Sequence, residues 1–145
     1  MITKILVVED NEKNRRLLRD VLQFNGFEVI EAINGEEGLS MARTENPDII
    51  LMDMQMPVMD GFTAIRTLRN DPGLKQIKIV AVTSFAMTGD REKIIAAGAD
   101  GYVAKPIDTR ELPAMLKVLS ADSQKASEIY PGVFSQRLSK GINEN

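Results

Sequence analysis

Short apolar runs alternate along this chain with longer segments in which apolar residues recur at helical spacing. Uninterrupted apolar runs of this length are typical of strands that are buried on both faces of a parallel sheet. They predict five strands, at residues 5–8, 27–32, 49–52, 79–82 and 101–104. The third run ends on Asp53, a carboxylate that cannot stay deep in an apolar sheet without a partner.

The segments between the runs predict five helices. Apolar residues at helical spacing are Leu17, Leu18, Val21 and Leu22, then Leu39 and Ala42, then Phe62, Ile65 and Leu68, and finally Leu112, Met115, Leu116 and Leu119. Capping and breaking residues mark the helix ends: Asn11, Asn25–Gly26, Asn34–Gly35, Asn46–Pro47, Asp60, Thr88 and Gly98. The first-helix residues are expected to face inward, with the arginines between them facing solvent.

Strands that alternate with helices form right-handed crossovers, so the sequence predicts an α/β fold with helices on both faces of a parallel sheet. The expected architecture is a doubly wound five-stranded sheet of order 2-1-3-4-5, which is flavodoxin-like. This domain is expected to span residues 1–121. Residues 122–145 are more polar and contain Pro131–Gly132, so they are expected to form a flexible tail.

Composition excludes several classes of function. The net charge is −3, which gives no basic surplus for a nucleic-acid backbone. The chain has no cysteine and no histidine, which excludes disulfides, thiolate or histidine metal sites, and catalysis by a Ser-His-Asp triad. No apolar run is long enough to span a membrane and no signal peptide is evident. We therefore expect a cytoplasmic protein that binds neither nucleic acid nor membrane.

Polar groups follow four of the five predicted strands. They are Glu9 and Asp10, Asp53, Thr83 and Lys105. Because the carboxyl ends of parallel strands meet at one edge, these side chains are expected to converge. Three neighbouring carboxylates favour a hard cation bound through oxygen, with Mg²⁺ preferred to Ca²⁺. A cation, a lysine, a hydroxyl and a nucleophilic aspartate are the components of a site for phosphoryl transfer.

Five ordered motifs resemble the receiver domain of two-component response regulators, over about residues 3 to 120. The motifs are Leu6-Val7-Val8-Glu9-Asp10-Asn11, the segment from Leu51 to Gly61, Ala81-Val82-Thr83-Ser84, the segment from Ala97 to Tyr102, and Lys105-Pro106. These motif sequences are similar to those of receivers of hybrid kinases and of single-domain cell-cycle regulators. The resemblance implies two-component signalling, with a histidine kinase or phosphotransfer protein as phosphodonor and a downstream protein effector.

The resemblance also implies a role for each site residue. Asp53 would accept the phosphoryl group, and Thr83 and Lys105 would bind its oxygens. Mg²⁺ would be held by Glu9, Asp10, Asp53 and the backbone carbonyl of Gln55. Tyr102 would be a rotating switch residue, and the Lys105–Pro106 bond would be cis. Such a chain is a phosphoacceptor that assists its own phosphorylation and dephosphorylation, and it is not counted as an enzyme.

Other functions are compatible with parts of this pattern. A flavodoxin-like FMN carrier needs a phosphate loop after the first strand, where this chain has acidic residues instead. A haloacid-dehalogenase-type phosphatase needs a second aspartate at position 55, which is glutamine. Glu9 and Asp10 taken alone are also compatible with helix capping. A degenerate receiver that docks partners without phosphorylation remains the alternative.

Overall fold

The sheet of this protein has five parallel strands in the predicted order β2-β1-β3-β4-β5. The computed structural model describes residues 2–56, 59–84, 89–136 and 138. Its strands are β1 Lys4–Val8, β2 Glu28–Ala32, β3 Ile49–Asp53, β4 Lys78–Thr83 and β5 Gly101–Ala104. The two central neighbours β1 and β3 pair in the register Val8↔Met52. This order brings the ends of β1 and β3 side by side, as the sequence predicts.

Helices connect the strands. They are α1 Glu12–Phe24, α2 Gly35–Glu45, α3 Gly61–Asn70, α4 Asp90–Ala97, α5 Glu111–Ala121 and α6 Ser123–Ile129, and a single 3₁₀ turn at Pro72–Leu74 precedes β4. Two predicted caps are confirmed, because the side chains of Asn11 and Asp60 accept hydrogen bonds from the first turns of α1 and α3. Asn34, which the sequence predicts as part of a turn, caps α2 in the same way. The predicted cap Thr88 lies outside the described residues, as does Pro57 of the motif after Asp53.

The core has two layers, one on each face of the sheet. Successive strand residues point to opposite faces. Leu6, Ile50 and Ile79 therefore pack with α2, α3 and α4, whereas their neighbours Ile5 and Val80 pack on the α1 and α5 side. Both sheet faces are covered by helices, which explains why the strands read as continuous apolar runs.

One helix position departs from the prediction. Leu17 was expected to face inward with the other apolar residues of α1, yet its side chain is 51% exposed. Leu18 and Leu22 alone are buried in that helix. Leu17 precedes the buried Leu18 by one position, which is about 100° around the helix, so Leu17 lies beside the buried stripe at the solvent boundary. Among the described residues, no helix is both long and apolar enough to cross a membrane.

The expectation of a flexible tail is wrong for its described part. Residues 123–129 form α6, and beyond it Phe134 is fully buried while Leu138 is 6% exposed. Phe134 forms an antiparallel bridge to Gly101, the first residue of β5. The tail therefore completes the core on the α1 and α5 side of the sheet and covers the edge of β5, which would otherwise expose unpaired backbone groups.

Hydrogen bonds fix this segment to two elements of the domain. The backbone N–H of Tyr102 donates to the carbonyl of Val133, and the N–H of Ser135 donates to the carbonyl of Asp100. From α4, the guanidinium of Arg91 donates to three tail carbonyls, those of Pro131, Gly132 and Phe134. Proline and glycine break the helical spacing here, but they build the turn whose carbonyls Arg91 binds.

Candidate functional site

The predicted site residues converge at the carboxyl edge of the sheet. Glu9 directly follows β1, Asp53 ends β3 and Thr83 ends β4. Lys105 directly follows β5, and its backbone N–H donates to the carbonyl of Thr83 at 2.8 Å. The Lys105–Pro106 peptide bond is cis, as the resemblance implies. Four strand ends thus supply functional groups to one small region.

Glu9, Asp10 and Asp53 form the one acidic cluster of metal-binding type that the described residues contain. One carboxylate oxygen from each residue lies within 4.8 Å of those from the other two. Asp53 is 2% exposed and Glu9 is 3% exposed, whereas Asp10 is exposed. The cluster is therefore buried at Asp53 and Glu9 and open to solvent at Asp10. An ion or a phosphorylated group can enter from that open side.

Lys105 partly neutralises the buried carboxylates of Asp53 and Glu9. Its ammonium nitrogen lies 3.0 Å from Oδ1 of Asp53 and 4.0 Å from Oε1 of Glu9. The backbone N–H of Gln55 also donates to Oδ1 of Asp53, at 3.0 Å. Both groups thus donate to Oδ1 of Asp53, and neither of them donates to Oδ2.

The protonation of Glu9 reflects this crowding. Burial, the largest influence, raises the pKa of Glu9 to about 7, and the carboxylate of Asp53 adds to the rise. The N–H of Asn11, which donates to Oε2 at 3.0 Å, and the positive charge of Lys105 both act in the opposite direction. A cation bound among these carboxylates would displace the proton from Glu9.

The side chain of Gln55 has a position that the sequence did not predict. Its Nε2 donates to Oγ1 of Thr83 at 2.7 Å, and its Oε1 accepts from the backbone N–H of Ser84 at 3.1 Å. The carboxamide thereby joins the loop after β3 to the end of β4. The sequence does not predict this contact, because nothing in the pattern indicates the direction of an amide side chain.

Tyr102 lies at a distance from the carboxylates but on the same face of the sheet as Thr83. The register pairs Ala81 with Tyr102 and Thr83 with Ala104, and paired residues of neighbouring strands point to the same face. Tyr102 is half-buried and packs against the layer formed with α2, α3 and α4. Its placement is compatible with the switch role that the resemblance implies.

A groove opens beside the acidic cluster. It has a volume of about 420 Å³, and its polar lining includes Glu9, Ser84 and Lys105. Its apolar lining comes from Leu17, Leu18, Pro106 and Ile107. The partly exposed Leu17 of α1 therefore contributes to a surface next to the carboxylates.

Comparisons with known proteins point to a single family. The family model described as the response regulator receiver domain matches residues 5–117. The polar-differentiation response regulator DivK of Brucella anthropi is 40% identical over 123 residues, which cover 85% of this chain and 100% of that protein. The DivK protein of Brucella ovis is 39% identical over the same coverage.

Solved structures show the same fold. The receiver domain of a sensor histidine kinase from Pseudomonas aeruginosa, which has a magnesium ion coordinated in its active site cleft, is 34% identical with a TM-score of 0.77, covering 84% of this chain and 100% of that one. The chemotaxis protein CheY4 of Vibrio cholerae is 31% identical with a TM-score of 0.76, covering 81% of this chain and 98% of that one.

Proposed function

The chain belongs to the response regulator receiver domain family, and we propose that it accepts a phosphoryl group on Asp53 from a histidine kinase or a histidine phosphotransfer protein. The observation that carries this proposal is the convergence on buried Asp53 of two further carboxylates and the ammonium of Lys105. A nucleophile, a cation site and a positive charge are thus present in one place, which phosphoryl transfer requires.

Asp53 is the proposed nucleophile. We assign the new bond to Oδ2, because Oδ1 already accepts from Lys105 and Gln55. As the bond from Oδ2 to phosphorus forms, the bond from phosphorus to the donor's histidine nitrogen breaks. The imidazole leaves with that electron pair and takes up a proton. The product is an acyl phosphate on this chain and a neutral histidine on the donor.

The acidic cluster fits Mg²⁺. Its side-chain donors are all carboxylate oxygens, which suit a hard ion, and three of them lie close enough to share one ion. Glu9, Asp10 and Asp53, with the backbone carbonyl of Gln55, are the proposed ligands. When bound, the ion would neutralise the charge that accumulates between the carboxylates and the phosphoryl oxygens.

Lys105 and Thr83 are the proposed partners of the phosphoryl oxygens. Lys105 already lies against Asp53, so a phosphoryl group on Oδ2 would be held within reach of its ammonium. Thr83 lies at the end of the strand next to β3 and offers a hydroxyl. Both residues bind and orient the group without forming a covalent bond to it.

The proposed readout is a change of a protein-interaction surface. Rotation of Tyr102 would follow movement of Thr83, since both lie on one face of the sheet. A phosphoryl group can drive such a change only by binding one conformation more tightly than the other. The proposed effector is a protein, and the proposed compartment is the cytoplasm. The chain itself acts as a phosphoacceptor and not as an enzyme with turnover on a separate substrate.

The groove beside the acidic cluster supports the proposed donor. A histidine carried on a helical surface could approach Asp53 from the open side while apolar neighbours of that histidine contact Leu17 and Ile107. The alternative function is a docking module that is never phosphorylated. It predicts no covalent change at Asp53, so one experiment separates the two.

The test uses a small phosphodonor, because such a donor needs no partner protein. The chain is incubated with Mg²⁺ and acetyl phosphate and its intact mass is measured. Wild type is expected to gain the mass of one phosphoryl group, and the gain is expected to require Mg²⁺. Asp53→Asn is expected to gain none. If wild type gains no mass, the docking alternative is supported.

A further inference from the structure

The carboxamide of Gln55 holds two groups at the end of β4 in a single arrangement. A backbone N–H can only donate, so the Ser84 N–H fixes the amide oxygen of Gln55 on its side. The amide nitrogen then faces Thr83 and donates to its hydroxyl oxygen. The side chain thus spans from the loop after β3 to β4 with a bond at each of its polar atoms.

Both bonds involve groups at the end of β4, the strand next to β3 and its Asp53, and Ser84 lines the same groove as Glu9 and Lys105. Ser84 directly follows Thr83, the residue proposed to bind such an oxygen. The single proton of the Ser84 N–H is committed to Gln55 in the unmodified protein. The Thr83 hydroxyl is held by a donor on the side of β3. A phosphoryl oxygen can take the Ser84 N–H only after the Gln55 oxygen has left it.

We propose that Gln55 is a latch, a positioning residue that stabilises the unphosphorylated arrangement of β4 and must release the Ser84 N–H before that group can bind a phosphoryl oxygen. The inference rests on the proposed function. The latch has a defined sign, because the Ser84 N–H cannot donate to Gln55 and to a phosphoryl oxygen at once, and a planar carboxamide that turns away from Ser84 also moves its nitrogen away from Thr83. Loss of the two hydrogen bonds is therefore expected to favour the state with the phosphoryl group.

The same residue has a second attachment that the latch does not use. Its backbone N–H donates to Asp53 and its backbone carbonyl is a proposed ligand of Mg²⁺. A change of the side chain leaves these backbone groups in place. The latch therefore predicts that affinity for the phosphoryl group changes while affinity for Mg²⁺ alone does not, a separation that general damage to the site would not produce.

The test variant is Gln55→Met, which keeps the length of the side chain and removes both hydrogen bonds. Gln55→Asn is one methylene shorter and can keep at most one of them, so it is expected to be intermediate. Gln76→Met is the control, because Gln76 is exposed, remote from the site and also makes two hydrogen bonds through its amide nitrogen.

The probes are Mg²⁺ alone and then beryllium fluoride at saturating Mg²⁺, as an analogue of the phosphoryl group. Gln55→Met is expected to bind beryllium fluoride about five- to a hundredfold more tightly than wild type, the range that two neutral hydrogen bonds of ordinary net strength would give. Its Mg²⁺ affinity is expected to stay within about twofold. Exchange of the Ser84 N–H with deuterium, without ligands, is expected to be faster in Gln55→Met than in wild type.

Each outcome decides one claim. Equal or weaker binding of beryllium fluoride by Gln55→Met, when wild type binds it, overturns the latch and leaves the proposed function intact. A parallel loss of Mg²⁺ affinity also overturns it, since that result indicates a structural role. If neither wild type nor Gln55→Met binds beryllium fluoride, the proposed function is wrong and the latch is wrong with it.

Discussion

The ammonium nitrogen of Lys105 lies 3.0 Å from Oδ1 of Asp53, although 52 positions separate the two residues in the sequence. Lys105 follows β5 and Asp53 ends β3, with β4 between these strands. The lysine side chain therefore reaches across the end of β4. In the absence of a cation it supplies the positive charge that a buried carboxylate requires.

Removal of this charge is expected to destabilise the protein when Mg²⁺ is absent. Lys105→Met leaves Asp53 and Glu9 buried without their counter-charge, which is expected to cost about 1–3 kcal/mol of unfolding free energy. Denaturant unfolding in the presence of a chelator measures this change. Lys93→Met is the control, because Lys93 is an exposed residue of α4. Equal stabilities of the two variants would show that Lys105 does not compensate the buried acids.

The raised pKa of Glu9 makes stability depend on pH. In the folded chain the pKa of Glu9 is about 7, against 4.5 for the exposed group. Between these values the folded state binds the proton more tightly than the unfolded state does, so stability falls as the pH rises from 4.5 through 7 and stays low above.

Glu9→Gln cannot ionise and removes this dependence. Relative to wild type, without Mg²⁺, the variant is expected to gain about 2–3 kcal/mol of unfolding free energy between pH 5 and pH 8. Denaturant unfolding of both chains at the two pH values measures this difference. A constant difference between the two chains would contradict the assigned pKa shift.

The sequence predicted the strands, their order and the convergence of Glu9, Asp53, Thr83 and Lys105 for one physical reason. A parallel sheet covered on both faces needs continuous apolar strands, so a polar residue that ends such a strand marks the edge of the sheet. The local apolar pattern therefore predicts both the strand and the place of its polar end residue at the edge of the sheet. The direction of the Gln55 side chain depends on atoms of β4, so the residues around Gln55 in the sequence do not predict it.

The docking of the tail cannot be predicted from the local pattern, because its apolar residues follow no helical or strand period. Tyr130, Val133 and Phe134 belong to a turn and a bridge, and their burial depends on a place that the rest of the fold provides. The number of large apolar residues after residue 128 was the available signal. It indicates burial but does not say against which surface.

Docking of the tail is expected to contribute strongly to stability. Phe134→Ala removes a fully buried ring and is expected to cost about 3–5 kcal/mol. This cost would lower the melting temperature by about 10 °C. Ile129→Ala, in which a 52% exposed residue of the same segment is truncated, is expected to change stability by less than about 1 kcal/mol. Similar melting temperatures for both variants would show that the tail does not dock in solution.

Gly101 and Phe134 are expected to be energetically coupled. A Cβ at position 101 would lie 2.6 Å from Cδ1 of the Phe134 ring, closer than atoms tolerate. Gly101→Ala is therefore expected to cost about 1–3 kcal/mol in wild type and much less in the Phe134→Ala background. Gly132→Ala, which meets no atom within 4 Å, is the matched control. Additive effects in a double-mutant cycle would argue against the contact.

The most direct test of the account is the chemical identity of the modified residue. After incubation with Mg²⁺ and acetyl phosphate, reduction with borohydride converts an aspartyl phosphate to homoserine, which peptide mass spectrometry locates. We expect homoserine at position 53 and an unmodified Asp10 in the same digest. Homoserine at another position, or none in a chain that has gained phosphoryl mass, would contradict the assignment of Asp53 as the phosphoacceptor.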